Sequence, residues 1–200
     1  MQDSTQAHRQ MSKGRLEAFS DGVLAIIITI MILEIKVPHD AELSSLFPLI
    51  PTFFSYILSF IYVGIYWSNH HHLFQLVKHV NGPVLWANNH LLFWLSMLPF
   101  VTAWSGENHF AGIPVAAYGA VLFLCSIAYY ILIKTLIATH GKDSEIATAI
   151  GRDTKGKVSS LLCAVAIPIA CFFPYISLGL YAVVAAMWIV PDKRVENVLQ

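Results

Sequence analysis

One long apolar segment near the start of the chain most constrains what it can fold into. Residues 15–37 run almost without interruption through apolar side chains and stop at Pro38. At about 1.5 Å per residue, a helix of this length crosses a hydrocarbon core of roughly 30 Å. Ser20, Asp21 and Thr29 lie at or inside the membrane, where polar groups are costly without partners and mark functional positions.

The composition of the whole chain agrees with a membrane location. Of the 200 residues, 56% are hydrophobic and 12% are charged, against about 25% charged in an average soluble chain. The chain has too few polar side chains to cover a surface that is exposed to water. The formal net charge of zero and the lack of a basic patch give no sign of nucleic-acid binding. Cys125, Cys163 and Cys171 lie in apolar segments, so we expect buried free thiols.

Apolar runs separated by polar, Gly or Pro residues predict six transmembrane helices in a single domain, residues 1–200. All six are expected to be helical, because lipid offers no hydrogen-bond partners to backbone groups. The predicted spans are 15–37, 48–74, 84–105, 112–138, 156–174 and 175–191.

The basic residues predict the orientation of these spans. With six spans both termini share one side, which then holds all of the twelve Lys and Arg residues except Lys36. Because cytoplasmic loops are enriched in Lys and Arg, both termini are expected to be cytoplasmic. The first span lacks a small-residue cleavage site, so we expect the N-terminus to be retained.

Three consecutive predicted helices carry polar residues at one depth near the cytoplasmic boundary. Asp21 lies about two turns into the first helix, Trp67 and His70 lie near the end of the second, and Asn88 lies in the first turns of the third. Hydrogen bonds among such groups contribute about 0.6 to 2 kcal/mol to helix association in membranes. We therefore expect a polar network that fixes the first helix against its neighbours.

The consecutive residues His70, His71 and His72 raise the question of a metal site. Neighbouring positions on a helix point about 100° apart, so the three rings cannot converge on one ion. We expect a membrane-boundary cluster with His70 in the polar network and no bound metal. The chain carries no nucleophile elbow, zinc-helix motif or phosphate-binding glycine loop. It is therefore expected to be neither an enzyme nor a cofactor carrier.

Helical spacing also isolates an apolar stripe on the first helix. By spacing alone the stripe could face lipid, pack against a neighbour or line a narrow pore, and the first two are more common. The stripe comprises Phe19, Gly22, Ile26, Ile30, Leu33 and Val37, with Thr29 at its edge.

Three motifs give the chain a specific resemblance. Arg15-x-x-x-Phe19-Ser20-Asp21 at the start of the first helix resembles the signature of the transmembrane protein 175 family of potassium channels. Trp67-x-x-His70-x-x-Leu73-Phe74 in the second helix, and Asn88 followed by Leu98-Pro99 in the third, are similar to the same family. The chain has the length of one six-helix repeat, like the prokaryotic members, which assemble as tetramers.

The resemblance implies a homotetrameric channel in which the first helix of each subunit lines the pore. Ile26, Ile30 and Leu33 would form the constriction, with Ile26 narrowest. Thr29 would contribute to selectivity, unless its hydroxyl bonds back to the carbonyl of Ala25 or Ile26. The implied partners are further copies of the chain, the lipid bilayer, K⁺ and other monovalent cations. The implied location is a bacterial plasma membrane.

Two other functions fit the same residues. One is a proton- or metal-coupled transporter that uses Asp21 and His70. The other is a membrane scaffold that conducts nothing.

Overall fold

Helices are the only regular elements in the part of the chain that this computed structural model describes, residues 12–151 and 153–189. The all-α prediction is confirmed over these residues. A short 3-10 helix, Leu43–Leu49, precedes the second α-helix. The α-helices are α1 (Lys13–Leu33), α2 (Ile50–Gln75), α3 (Gly82–Ser96), α4 (Leu98–Glu107), α5 (Gly112–His140), α6 (Glu145–Ile150), α7 (Thr154–Ala170) and α8 (Pro174–Ile189).

Four helical stretches within the described residues are long and apolar enough to cross a membrane. They are Lys13–Leu33, Leu43–Gln75, Gly82–Glu107 and Gly112–His140. They coincide with the first four predicted spans. The last two correspond to α7 and α8, which have 17 and 16 residues, so their crossing of the membrane stays a prediction.

The two ends of the chain lie outside the residues that the structure describes. Residues 1–11 and 190–200 are not among the described residues, and the predicted cytoplasmic termini and retained N-terminus fall on them. The sixth predicted span, 175–191, also extends two positions past the last described residue.

Helix ends differ from the predicted ends where the local chemistry changes. The first helix stops at Leu33 rather than at residue 37, because Glu34, Lys36 and Pro38 follow within the next five residues. The third predicted span is divided into α3 and α4 at Met97. Pro99 lies in the first turn of α4, where its missing N–H is tolerated. The polar connection 139–157 contains the short helix α6.

α5 forms the centre of the bundle and packs against α3, α4, α7 and α8. Its buried face recurs at helical spacing through Cys125, Ala128, Leu132 and Leu136. Gly119 lies directly under the Tyr181 hydroxyl of α8, with no room for a Cβ atom. The glycine at position 119 therefore allows α5 and α8 to pack closely at this point.

The three cysteines are free thiols, but they do not share one environment. Two of them, Cys125 and Cys163, are buried, whereas Cys171 is exposed in the turn between α7 and α8. The expectation that all three are buried is wrong for Cys171, because the turn lies at the end of the bundle where neither helix covers it.

Candidate functional site: the two faces of the first helix

The two faces of α1 have different surroundings. Leu16, Ser20, Leu24, Ile27 and Met31 are buried, and their spacing of three or four residues defines one face of a helix. This face packs against α2, α3 and α4. Because this face is packed against three helices, the opposite face of α1 points away from the bundle.

The predicted apolar stripe lies on the uncovered side of α1. Ile26 is 58% exposed, Ile30 is 42% exposed and Leu33 is 79% exposed in the single chain. Phe19 and Thr29 are also exposed. Val37 lies beyond the helix, so it does not extend the stripe. An exposed row of large apolar side chains can face lipid, another protomer or a pore.

A buried polar network joins α1 to α2 and α3. Asn88 Nδ2 donates to Ser20 Oγ at 3.0 Å, and His70 Nε2 lies 2.8 Å from Asn88 Oδ1. Ser20 Oγ donates to the Leu16 carbonyl at 2.9 Å. All three side chains of the network are almost fully buried. The network fixes both the depth and the rotation of α1.

The proton positions in this network follow from its connections. The Ser20 proton is directed to Leu16, so Ser20 Oγ accepts from the Asn88 amide nitrogen. The Asn88 carbonyl oxygen then faces His70, and because that oxygen can only accept, Nε2 of His70 carries the proton. The His70 ring also stacks on Phe74 with ring centroids 4.4 Å apart.

Asp21 is held outside this network. Trp67 Nε1 donates to Asp21 Oδ1 at 3.1 Å, and both residues are exposed. The expectation that the carboxylate joins the imidazole and carboxamide is wrong in this respect, since Ser20 takes that place. Ser20 and Asp21 are about 100° apart on the helix and cannot both enter one crevice.

The three consecutive histidines have three different environments. His70 is buried in the network, while Nε2 of His71 lies 3.0 Å from Gln75 Nε2 and the His71 ring stacks on Trp67. His72 is half-buried and lines a separate cavity. Within the described residues no group of three or more His, Cys, Asp or Glu side chains is placed to hold a metal ion. Consecutive helical positions point the three side chains in different directions, and the His71 and His72 ring centroids lie 5.8 Å apart.

Two remaining predicted positions have simple environments. Arg15 is exposed at the first turn of α1. Thr29 Oγ1 donates to the Ile26 carbonyl at 2.9 Å. The alternative hydrogen bond for Thr29 is therefore present, and the hydroxyl oxygen stays on the exposed side of α1.

An exposed ion pair lies just past the other end of α1. Lys36 Nζ lies 2.9 Å from Glu107 Oε1, which joins the segment after α1 to the end of α4. The hydrogen bond and charge of Glu107 raise the pKa of Lys36.

A second polar network was not predicted from the sequence. Ser59 Oγ lies 2.6 Å from Thr102 Oγ1 and 3.0 Å from the Tyr118 hydroxyl, and Ser55 donates to the Thr102 carbonyl at 2.8 Å. The available signal was the spacing of Ser55 and Ser59, which places two hydroxyls on one face of α2. The network joins α2 to α4 and α5.

The long apolar helices and buried interhelical networks define a multi-pass membrane protein. A family model described as endosomal/lysosomal potassium channel TMEM175 matches residues 15–99. A potassium channel of Chryseobacterium sp. (strain P1-3) is 55% identical over 190 residues, which is 95% of this chain and 99% of that relative. The chain belongs to the TMEM175 family, and the predicted resemblance is confirmed.

Two further similarities extend the comparison. The crystal structure of a lysosomal potassium-selective channel TMEM175 homolog from Chamaesiphon minutus matches with a TM-score of 0.79 and 30% identity, covering 90% of this chain and 97% of that chain. The endosomal/lysosomal proton channel TMEM175 of Bos taurus is 31% identical over 162 residues, or 72% of this chain and 33% of that relative. These relatives are named as channels and not as enzymes.

Proposed function

We propose that the protein is a potassium-selective channel that conducts K⁺ passively through a pore at the centre of a homotetramer. The observation that carries the proposal is the exposed apolar stripe on α1, a helix whose opposite face is locked into the bundle. The names of the Chryseobacterium relative and of the Chamaesiphon structure support the choice of ion. One α1 helix cannot enclose a pore, so several copies of the chain are required.

The constriction in this proposal is apolar. Four copies each of Ile26, Ile30 and Leu33 around one axis offer no ligands to an ion. Narrow rings of this kind gate by excluding water when closed. Ile26 would form the narrowest ring and set the gate.

Thr29 would supply the polar contact for selectivity. Its proton is directed to the Ile26 carbonyl at 2.9 Å. This leaves the lone pairs of the hydroxyl oxygen for a cation on the exposed side. Four such oxygens would favour K⁺, which loses its hydration shell more readily than Na⁺.

The proposed topology has six spans in one domain, with both termini cytoplasmic, in a bacterial plasma membrane. The distribution of Lys and Arg supports it, since Lys36 is the one basic residue on the opposite side in that topology. α7 and α8 would supply the fifth and sixth spans. The acidic residues Glu34, Asp40 and Glu42 would then lie at the outer entrance, near Glu107.

Proton conduction is a second candidate, and the name of the Bos taurus relative favours it. Asp21 is an exposed carboxylate on the helix that would line the pore, so it is the residue that could exchange protons with the aqueous entrance. A coupled transporter using Asp21 with His70 has less support, because His70 is bonded to Asn88 rather than to Asp21.

Flux from liposomes distinguishes these functions. The purified chain is reconstituted, and uptake is measured separately with K⁺, Na⁺, Cs⁺ and a pH gradient. We expect rapid K⁺ uptake that exceeds Na⁺ uptake and does not saturate at low concentration. Uptake that follows only the pH gradient would replace the potassium proposal with proton conduction, and absence of any flux from assembled protein would support a scaffold.

A further inference from the structure

A cavity of about 370 Å³ lies between α2, α5, α7 and α8. None of the described residues that line it belongs to α1, so it is separate from the proposed pore. Its wall is rich in aromatic rings. They belong to Tyr62, Tyr66, Tyr129, Tyr130 and Trp188.

Three of the five aromatic residues in the wall have their polar atoms bonded to the protein. The Tyr62 hydroxyl donates to the Tyr181 carbonyl at 2.6 Å, and the Tyr129 hydroxyl donates to the Asn69 carbonyl at 3.1 Å. Trp188 Nε1 donates to Ser159 Oγ at 2.8 Å. Because these polar atoms already have partners, the interior suits an apolar occupant.

The cavity has a charged end and an apolar end. Gly156 and Lys157 line it at the start of α7, and Cys163 lines it about 9 Å further along that helix. Leu122 and Val184 face the same space from α5 and α8. An elongated occupant with one polar end fits this arrangement.

The charged end carries side chains of both signs. Lys157 lines the cavity, and Lys155 Nζ lies 4.8 Å from the centre of the Trp188 ring. Asp153 is also present, and its carboxylate accepts from the backbone N–H of Gly156 at 3.2 Å as the N-cap of α7. The Asp153 carboxylate already bonds the first turn of its own helix, whereas the Lys157 ammonium lines the cavity and favours an anionic group beside it.

We propose that this cavity binds a phospholipid of the bilayer, with one acyl chain against the aromatic wall and the phosphate beside Lys157. The bilayer supplies this ligand directly, and the cavity runs along a helix proposed to span it. The site goes beyond ion conduction, and its test does not depend on flux.

Tryptophan fluorescence tests the site, because Trp188 forms part of its wall. The full chain in detergent is titrated with phosphatidylglycerol that carries brominated acyl chains, which quench tryptophans on contact. We expect quenching that saturates at one lipid per protomer. The saturable part should disappear in the Trp188→Phe variant. Linear quenching without saturation would overturn the proposal.

Two matched pairs of variants locate the binding. Ser126→Phe inserts a ring into the cavity and should abolish saturable quenching, whereas Val165→Phe adds the same ring at an exposed position of α7 outside the cavity wall and should not. Lys157→Gln should raise the half-saturating lipid concentration several-fold, and the exposed Lys142→Gln should not. Equal behaviour within both pairs would reject the site. Inorganic phosphate at the same concentrations should not compete, and competition by phosphate would show an ion site without an acyl chain.

Mass spectrometry of the unsubstituted protein gives a readout that no folding defect can obscure. After transfer from detergent, we expect one phospholipid to remain bound per protomer. A protein that releases all phospholipid, or that retains only detergent, would contradict the proposal.

Discussion

The Asn88 side chain donates to Ser20 across the α1–α3 contact at 3.0 Å, and through this bond the third helix sets the rotation of the first. Asn88 is the central member of the network, since it accepts from His70 with its other end. Removing it leaves Nε2 of His70 buried without this partner and takes away the hydrogen bond that Ser20 accepts, while Ser20 still donates to Leu16.

We therefore expect Asn88→Leu to destabilise the protein by about 1–3 kcal/mol, the cost of leaving buried polar groups unpaired. Thermal denaturation in detergent, followed by the fraction that still elutes as folded protein, measures the effect. Asn89→Leu is the matched control, because Asn89 is adjacent and exposed. Equal thermal stability of the two variants would show that the network contributes nothing.

The contact between Gly119 and Tyr181 predicts a second stability effect. A Cβ atom at residue 119 would overlap the Tyr181 hydroxyl, so in Gly119→Ala either the buried Tyr181 side chain or α8 itself must shift. Overpacking of this kind costs about 1–3 kcal/mol. The same denaturation measurement applies.

Gly64 provides the control for this prediction. A Cβ atom there meets nothing within 4 Å, and alanine is the better helix former by about 0.5–1 kcal/mol. Gly64→Ala should therefore keep or raise the thermal stability. A Gly119→Ala variant as stable as Gly64→Ala would mean that the Tyr181 hydroxyl is not held against residue 119.

The sequence was sufficient for the parts of this structure that depend on hydrophobic periodicity. The first four apolar runs are helices, and the stripe containing Ile26 and Leu33 is on the uncovered side of α1. Long apolar segments have few alternatives in lipid. The local sequence is therefore enough to predict which segments are membrane-spanning helices and which side of α1 is uncovered.

Partner choice among polar side chains required the three-dimensional structure. Sequence position places Ser20 and Asp21 at one depth, but it does not state which of them faces Asn88. The Ser59–Thr102 bond and the cavity beside Trp188 depend on how distant helices pack. Such contacts arise from residues far apart in the chain and leave little signal in local spacing.

The gate proposed at Ile26 predicts a gain of conduction. Ile26→Ala shortens the side chains of the narrowest ring, which should widen it and make it easier to hydrate. We expect several-fold faster K⁺ uptake into liposomes at equal protein content. Ile32→Ala serves as control, since Ile32 is exposed on the same helix but lies off the stripe. An Ile26→Ala flux no greater than the Ile32→Ala flux would exclude Ile26 as the gate.

Thr29 provides the final prediction, which concerns selectivity rather than rate. Thr29→Val keeps the shape of the side chain and removes the oxygen that we propose contacts K⁺. The K⁺-over-Na⁺ preference should fall several-fold while K⁺ conduction persists, and reversal potentials in planar bilayers with K⁺ on one side and Na⁺ on the other measure it. Thr29→Ser keeps a hydroxyl that can donate to the Ile26 carbonyl, so its preference should stay near that of the unsubstituted channel. If Thr29→Val retains the full K⁺-over-Na⁺ preference, the Thr29 hydroxyl only makes its hydrogen bond within α1. Selectivity must then come from another part of the pore.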